Sequence, residues 1–116
     1  MKINVKSTNL DLTPSLGVYI EEKLGALKKL VKKFDLGNDL VLHIEVARTT
    51  KHHHKGEVFM AEGNLNLPGG NLRAVEKSGD IRVAIDLMKH KLQMEIVKFK
   101  ATHDQSRAKQ KKQRIK

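Results

Sequence analysis

The chain of 116 residues contains no cysteine and no tryptophan, and its aromatic residues are one tyrosine and three phenylalanines. The absence of cysteine excludes disulfide bonds and thiolate metal sites. All three phenylalanines fall on apolar faces of the elements predicted below, which leaves few rings for stacking on unpaired bases. If the partner is a nucleic acid, phosphate contact and shape recognition are therefore the expected modes of binding.

Long apolar runs are also absent from the sequence. No segment approaches the roughly 18 consecutive apolar residues that indicate a membrane-spanning helix. The first ten residues, MKINVKSTNL, alternate polar and apolar side chains and do not form the apolar core of a signal peptide. A chain of this length suits one domain with one modest core. We therefore expect a single soluble domain in the cytoplasm, with no membrane partner.

Acidic residues are scarce, because 13 Asp and Glu stand against 23 Lys and Arg, a net charge of +10. Such an excess favours a polyanion, of which nucleic acid and an anionic membrane are the common examples. Residues 101–116 carry six Lys and Arg against Asp104, and so hold half of the net charge. We predict that residues 1–100 form the folded domain. Residues 101–116 should be a disordered tail or a frayed helical extension, either solubilising or lying along phosphates.

Two segments show the periodicity of amphipathic helices. The first begins at Thr13-Pro14, where threonine suits the N-cap and proline the first helical position. Its apolar stripe is Leu16, Ile20, Leu24, Leu27, Val31 and Phe34, and residues 35–39 should end it. The second helix opens near residues 78–80, and its stripe is Ile81, Ile85, Met88, Leu92, Ile96 and Phe99.

Before and between these helices the apolar period is two, which predicts half-buried strands. The four predicted strands are KINVKS, LVLHIEVAR, EVFMAEGNLNL and NLRAVEK, with a turn at residues 68–71 before the last. The element order is therefore β-α-β-β-β-α. We expect an α+β two-layer sandwich, a four-stranded mixed sheet with both helices on one face. The first β-α-β unit should place strands one and two in parallel.

The segment RTTKHHHKGE, residues 48–57, places three consecutive histidines between the second and third strands. Alternate residues of an extended loop point apart, so at best His52 and His54 converge while His53 faces away. A zinc site needs three or four ligands, and the segment offers no recognisable third one. We interpret it as a polar loop tip whose Lys51 and Lys55 can meet phosphate, and we predict no metal site.

Motifs of catalysis are missing as well. The sequence has no G-x-S-x-G, no Gly-rich phosphate loop of the P-loop type and no H-E-x-x-H. Its neighbouring acids, such as Asp80 with Asp86, fit the surfaces of helices. We predict a binding protein without a cofactor, and not an enzyme.

Several stretches, taken in order, resemble one family. They are INV with TPSL starting at Thr13, then KGEVFMAEGNLNLPGGNLRA, then GDIRVAIDLMKHKLQMEIVKF, of which residues 80–86 are the most specific part. Over residues 1–100 the chain resembles the ribosome hibernation promoting factor family, in its short form. The resemblance implies binding to the small ribosomal subunit, in the channel between head and body that messenger and transfer RNA occupy. Such proteins silence idle ribosomes without catalysis.

The resemblance also implies that basic side chains contact ribosomal RNA. Carried over by position, the candidates are Lys23, Lys29, Lys91 and Lys98. Location and charge add Lys28, Lys32, Lys33, Lys51, Lys55, Arg73 and Lys89. The chain departs from the family pattern at Arg82, where tyrosine is common, at Met94, where arginine is common, and at Ala26, where a basic residue is usual. These departures concern individual contacts and not the fold.

The partners follow from the same resemblance. Long members of the family carry a further C-terminal domain that pairs ribosomes, whereas this chain continues as a basic tail. We therefore expect a monomer off the ribosome whose partners are small-subunit RNA and adjacent ribosomal proteins. A separate ribosome modulation factor is a further candidate partner.

Two alternatives remain open at this point. The order α-β-β-β-α is also that of the double-stranded-RNA-binding domain, so a general double-stranded-RNA-binding or ribosomal protein is the first. That domain lacks the extra first strand and opens its second helix with a lysine cluster, where this chain has SGDIRVA. The second is a metal-binding protein or metal-dependent hydrolase built on the loop of residues His52–His54. A third ligand is missing, because only His52 and His54 can converge, and so is a catalytic base.

Overall fold

The computed structural model describes residues 1–49 and 58–114, with residues 104–114 described by their backbone only. The elements in these ranges are β1 (Lys2–Thr8), α1 (Pro14–Gly25), α2 (Lys28–Val31), β2 (Val41–Arg48), β3 (Phe59–Leu67), β4 (Gly70–Ser78) and α3 (Ile81–Arg114). One turn of 3₁₀ helix, Lys32–Phe34, follows α2 directly. The predicted order of strands and helices is confirmed, except that the first predicted helix is divided.

The strands form one mixed sheet in the order β1-β2-β3-β4. β1 runs parallel to β2, with Lys2 opposite Val41 and Thr8 opposite Ala47, as predicted for a β-α-β unit. β2 pairs with β3, and β3 with β4, in antiparallel register. The helices pack on one face of this sheet, so the predicted two-layer α+β fold is confirmed.

The core lies between the helices and the covered face of the sheet. Alternate strand residues point into it, and the buried ones are Leu42, Ile44, Val46, Ala61, Leu65, Leu67, Leu72 and Ala74. The predicted helical stripes supply Leu16, Ile20, Leu24, Leu27, Val31, Ile85, Met88, Leu92 and Ile96, all buried. Full burial of one such aliphatic side chain contributes about 1.5–3 kcal/mol, so these stripes are what holds the helices on the sheet.

The two long helices begin where capping groups are available. Oγ1 of Thr13 accepts a 3.2 Å hydrogen bond from the backbone N–H of Leu16, and Pro14 occupies the first helical position. At the start of α3, Oδ1 of Asp80 accepts a 2.8 Å bond from the N–H of Arg82. These side chains satisfy N–H groups that have no partner within the helix, and both predicted starts are confirmed.

The first predicted helix was expected to continue through Phe34, and this prediction was wrong. Regular α-helix stops at Gly25, because the N–H of Leu27 bonds back three residues to the carbonyl of Leu24, at 3.0 Å. Another three-residue bond, from Leu30 to Leu27, follows at 3.0 Å. Glycine is a poor helix former, which favours an end of the helix at this residue. In the tighter turns that follow, Leu27 and Val31 still face the core and are buried.

α3 packs tightly on the middle of β3, at Gly63. A Cβ at this position would lie 2.8 Å from Sδ of Met88 and 3.2 Å from Cδ2 of Leu92. Because both of those side chains are fully buried, they have no free space into which to move. Gly63 therefore sets the height of α3, and of its outward side chains, above the sheet.

The turn between β3 and β4 is shorter than the sequence suggested. Leu67 pairs with Gly70, so only Pro68 and Gly69 form the loop. Gly69 has φ of 94°, a conformation that side chains rarely adopt, and proline followed by such a glycine is typical of a type II turn. The hairpin thus places Gly70 close to α3. A Cβ on Gly70 would lie 2.8 Å from Cε2 of Phe99.

α3 continues well past residue 100. Its helical backbone reaches Arg114, 34 residues in all, a length of about 51 Å at 1.5 Å per residue. The sequence left open whether this segment is disordered or a helical extension, and the backbone of residues 101–114 is helical. The division into a domain of residues 1–100 and a basic tail of residues 101–116 stays a prediction. Within the described ranges, no helix has both the length and the apolarity needed to cross a membrane.

Candidate nucleic-acid interface

Three of the predicted lysines surround one cavity at the end of the helical layer. Lys28, Lys29 and Lys32 project from α2 and the following turn into a surface cavity of about 590 Å³. All three are exposed. In the part of the chain that the structure describes, none of the three has a carboxylate within 4.0 Å of its ammonium group. Their positive charges are therefore available to an anion.

The acid that borders this cavity already has partners. The carboxylate of Asp35 accepts hydrogen bonds from the N-terminal ammonium of Met1 and, at 3.0 Å, from the backbone N–H of Leu40. The same ammonium donates to Oδ1 of Asn38 at 2.7 Å. The Met1 ammonium, followed by the Leu40 N–H, holds the pKa of Asp35 below its usual range. Asp35 is thus neutralised by a group other than the lysines, whose charge it does not cancel.

A second group of polar residues joins α1 to α3. The hydroxyl of Tyr19 donates a 2.6 Å hydrogen bond to Oδ1 of Asp86. This bond, with burial as the next cause, raises the pKa of Tyr19 to about 12. Nζ of Lys23 lies 3.9 Å from the same carboxylate oxygen and 5.4 Å from the centre of the Tyr19 ring. The network places Lys23, one of the predicted RNA contacts, beside α3.

Arg82 belongs to this network, and sequence reasoning did not identify it as a site residue. Its guanidinium lies 5.1 Å from the centre of the Tyr19 ring and donates a 3.0 Å bond to Oγ of Ser15. The available signal was helical spacing, because Ser15, Tyr19 and Lys23 share one face of α1 as Arg82 and Asp86 share one face of α3. Which two helix faces meet could not be read from the sequence.

The predicted lysines of α3 lie along its two flanks. Arg82 contacts α1, and Lys89, seven residues later, lies on the same flank by helical periodicity. Lys91 lies on the other flank, with Nζ 3.9 Å from Oε1 of Glu76 on β4. Lys98 is 3.8 Å from Glu95 and its side chain is 72% exposed. Exposed pairs at these distances contribute little stability, so the lysines can exchange them for phosphates.

Arg73 lies apart from the other candidates. It projects from β4 on the sheet face that the helices leave uncovered, where its Nη2 donates a 2.6 Å bond to Oε2 of Glu62. The amide of Asn64 donates to the same carboxylate at 2.9 Å. The hydrogen bond from Arg73 is the main cause that holds the pKa of Glu62 below its usual range. The charge of Arg73 is therefore largely matched by that of Glu62. Arg73 also lies on the opposite side of the sheet from the helical lysines.

The remaining predicted contacts divide into two cases. Lys33 lies within the 3₁₀ turn, its Nζ 5.2 Å from the centre of the Phe34 ring. Lys51 and Lys55, with the histidines of residues 52–54, lie outside the described residues. The structure thus brings most candidates onto the helical layer, namely Lys23, Lys28, Lys29, Lys32, Lys33, Lys89, Lys91 and Lys98. Their contact with RNA stays a prediction.

Aromatic rings meet at the same end of the molecule, where they pack against one another. The rings of Phe34 and Phe99 make an edge-to-face contact with centres 5.3 Å apart. His103, which sequence reasoning did not single out, contacts the Phe34 ring in the same manner at 5.2 Å. Because each ring is engaged with another, this cluster fastens α3 to the end of α2. Within the described residues, no group of three or more His, Asp or Glu is placed to hold a metal ion.

Comparison with known proteins places this arrangement in a family. The family described as sigma 54 modulation protein / S30EA ribosomal protein matches residues 3–103. The ribosome hibernation promotion factor of Lactococcus lactis subsp. cremoris is 30% identical over 100 residues, which cover 86% of this chain and 50% of the relative. Its namesake from Staphylococcus aureus is 31% identical, over 86% of this chain and 48% of the relative. The chain spans about half the length of these curated relatives.

Solved structures show the same fold. The N-terminal domain of Thermus thermophilus Protein Y superposes with a TM-score of 0.66 at 26% identity, covering 85% of this chain and 99% of that domain. A ribosomal subunit interface protein from Coxiella burnetii gives a TM-score of 0.67 at 25% identity, covering 87% of this chain and 99% of that one. The four-stranded sheet with its helices on one face is thus the fold of both solved structures.

Proposed function

Because the chain belongs to the family described as sigma 54 modulation protein / S30EA ribosomal protein, we propose that it binds the small ribosomal subunit and keeps idle ribosomes inactive. Two curated members of similar sequence are named ribosome hibernation promotion factors. The observation that carries the proposal is the cluster of Lys28, Lys29 and Lys32, which lacks acidic partners within the described residues. An unmatched cationic cluster on a domain of this family suits a phosphate backbone.

The binding we propose uses the helical layer as its contact surface. The lysines of α1 and α2 and those on the flanks of α3 contact ribosomal RNA in the channel between the head and body of the small subunit. A domain bound there occupies the space of messenger RNA and of transfer RNA in the A and P sites, so inhibition requires occupancy and no chemical step. The net charge of +10 supports this mode, because each phosphate contact releases a bound counterion.

The partners follow from that position. We infer that the protein is cytoplasmic, that its main partner is small-subunit ribosomal RNA with adjacent ribosomal proteins, and that a ribosome modulation factor assists where ribosomes pair. Because the matched region is about half of the curated relatives, direct pairing of ribosomes by this domain is not part of the proposal. Its contribution is binding and blocking the decoding channel.

Co-sedimentation with purified ribosomal subunits tests the proposal. The protein is incubated with small or large subunits at several salt concentrations, pelleted through a sucrose cushion and quantified. We expect binding to small subunits at low salt that weakens steeply as salt rises, together with inhibition of translation in vitro. Absence from the small-subunit pellet at low salt would refute the proposal.

A competitor separates ribosome binding from the alternative of general double-stranded-RNA binding. A double-stranded RNA without ribosomal sequence is added in excess over the subunits. A protein specific for the decoding channel stays in the pellet, whereas a general duplex binder is released. Deletion of residues 105–116 in the same assay measures the contribution of the basic tail, and unchanged affinity would make that segment only solubilising.

A further inference from the structure

α3 presents a line of apolar side chains to solvent. Val83, Leu87, Met94 and Val97 are 45%, 45%, 47% and 48% exposed, and they point away from the buried stripe of the same helix. Their intervals of four, seven and three residues place them on one side of the helix, with exposed His90 between them. We name Val83, Leu87, Met94 and Val97 the α3 ridge. Scattered exposed apolar residues are ordinary, but a continuous line along a helix indicates a contact surface.

Positive charges border the α3 ridge on both sides. The flank that faces α1 carries Arg82, Lys89 and Lys100, since 18 residues complete five helical turns. The flank that faces β4 carries Lys91 and Lys98, both with more than half of the side chain exposed. Two acids of α3 share these flanks, Asp86, which accepts a hydrogen bond from Tyr19, and Glu95, which lies beside Lys98. The surface is therefore an apolar line between two flanks on which five cations of α3 outnumber two acids.

This charge pattern identifies the occupant. A second copy of the chain would bring the lysine rows against their equivalents, with a charge of +10 on each molecule. RNA has the complementary chemistry, because the phosphates of a strand lie beside the weakly polar faces of its bases and riboses. Aliphatic side chains are known to contact or insert between bases where flanking cations hold the backbone.

We propose that the α3 ridge contacts the faces of unpaired bases and riboses in RNA while the flanking cations contact phosphates. The inference rests on the proposed function and specifies one surface of that interface. Met94 supports this reading by its own chemistry, because an unbranched, flexible apolar side chain that is 47% exposed can adapt to an irregular partner surface. Aliphatic contact thereby takes the place of the aromatic stacking that the sequence lacks.

The proposal has a thermodynamic signature that separates the ridge from the lysines. Apolar contacts release no counterions, so they contribute an affinity that does not depend on salt, whereas each phosphate contact contributes to the slope of log K against log salt. Replacing ridge residues should lower affinity equally at all salt concentrations. Replacing flanking lysines should lower the slope.

The test compares two double variants of equal size in small-subunit binding. L87Q/M94Q removes two exposed apolar side chains without changing the charge, and K91Q/K98Q removes two charges and leaves the ridge intact. We expect L87Q/M94Q to raise the Kd for small subunits roughly tenfold with an unchanged salt slope. K91Q/K98Q should reduce the slope by up to about 2. Circular dichroism melting verifies that both variants fold.

A second arm uses RNA oligonucleotides of one length, single-stranded or duplex. L87Q/M94Q should weaken binding of the single strand, whose base faces are accessible, and leave duplex binding unchanged. If wild type binds small subunits and L87Q/M94Q binds equally well, the ridge inference is overturned and the proposed function stands. If wild type fails to bind them, both are overturned. A wild-type dimer in sedimentation equilibrium that L87Q/M94Q dissociates would assign the ridge to a second copy instead.

Discussion

The hydroxyl of Tyr19 donates a 2.6 Å hydrogen bond to Oδ1 of Asp86, and so connects α1 with α3 across 67 positions of sequence. The same oxygen of Asp86 attracts the ammonium of Lys23, 3.9 Å away. One carboxylate of α3 therefore contacts two side chains of α1. If the helical layer binds RNA, the bond between Tyr19 and Asp86 holds α1 and α3 in position before binding, so less entropy is lost when their cations meet phosphates.

Replacing Tyr19 by phenylalanine removes this hydrogen bond and retains the ring. We expect the free energy of unfolding to fall by about 1 kcal/mol, as for a typical intramolecular hydrogen bond. Urea denaturation measures the change. A double-mutant cycle with Asp86→Ala is the control, because the effects of the two substitutions should not add if the bond is their shared interaction. Full additivity would show that the contact contributes no coupling.

Alkaline pH should weaken the fold through the same residue. The pKa of Tyr19 is raised to about 12 in the folded protein, above the ordinary tyrosine value of 10.0. The folded state therefore holds the phenolic proton more tightly, so this contribution to stability is complete below pH 10 and declines as pH rises from 10 towards 12. Denaturation midpoints measured over this range should decline less for Tyr19→Phe than for wild type. Parallel curves for the two proteins would contradict the assignment.

Adding one methyl group at Gly63 should destabilise the core. The new Cβ would lie 2.8 Å from Sδ of buried Met88, so α3 or Met88 must shift, at a cost of roughly 1–3 kcal/mol. Gly17→Ala in α1 is the matched control, because a Cβ there meets no atom within 4 Å. Alanine in that helix should stabilise by up to about 1 kcal/mol. Thermal or urea unfolding measures both, and opposite signs are expected.

Replacing Lys28, Lys29 and Lys32 by glutamine should reduce the salt dependence of small-subunit binding. The slope of log K against log salt is expected to fall by about 1 for each lysine that contacts a phosphate. The control removes three lysines from the uncovered face of the sheet, Lys2, Lys6 and Lys77, and so changes the net charge equally. If the control reduces the slope as much, general charge and not the cluster accounts for binding.

Arg73 was predicted as an RNA contact from its charge, but its pairing with Glu62 on the uncovered face leads us to expect little effect of Arg73→Gln on subunit binding. The substitution should instead change stability at acid pH. Because the pKa of Glu62 is lowered in the folded protein, the pair stabilises above pH 4.5 and this stabilisation is lost as pH falls further. Acid denaturation of wild type and variant should converge at low pH. If Arg73→Gln greatly weakened subunit binding, Arg73 would instead be part of the RNA contact surface.

The sequence predicted the fold from periodicity, because the spacing of Leu16, Ile20 and Leu24, or of Leu42 and Ile44, depends on local geometry alone. The end of α1 at Gly25 was missed, since its apolar stripe continues through the tighter turns that follow. The Tyr19–Asp86 contact could not be predicted, because it depends on which helix faces meet in three dimensions. The predicted lysines were distinguished only when the structure showed which ones had acidic partners.

The order of strands in the sheet distinguishes pairs of strands that are close in sequence from the one pair that is distant. β2, β3 and β4 follow one another along the chain and in the sheet, so each antiparallel pair closes a short segment. β1 joins them only by parallel pairing with β2, with α1 and α2 enclosed between the two strands. Closing the longer segment costs more chain entropy and delays the contact during folding. We therefore expect the three-stranded antiparallel unit to form first and β1 to join it afterwards.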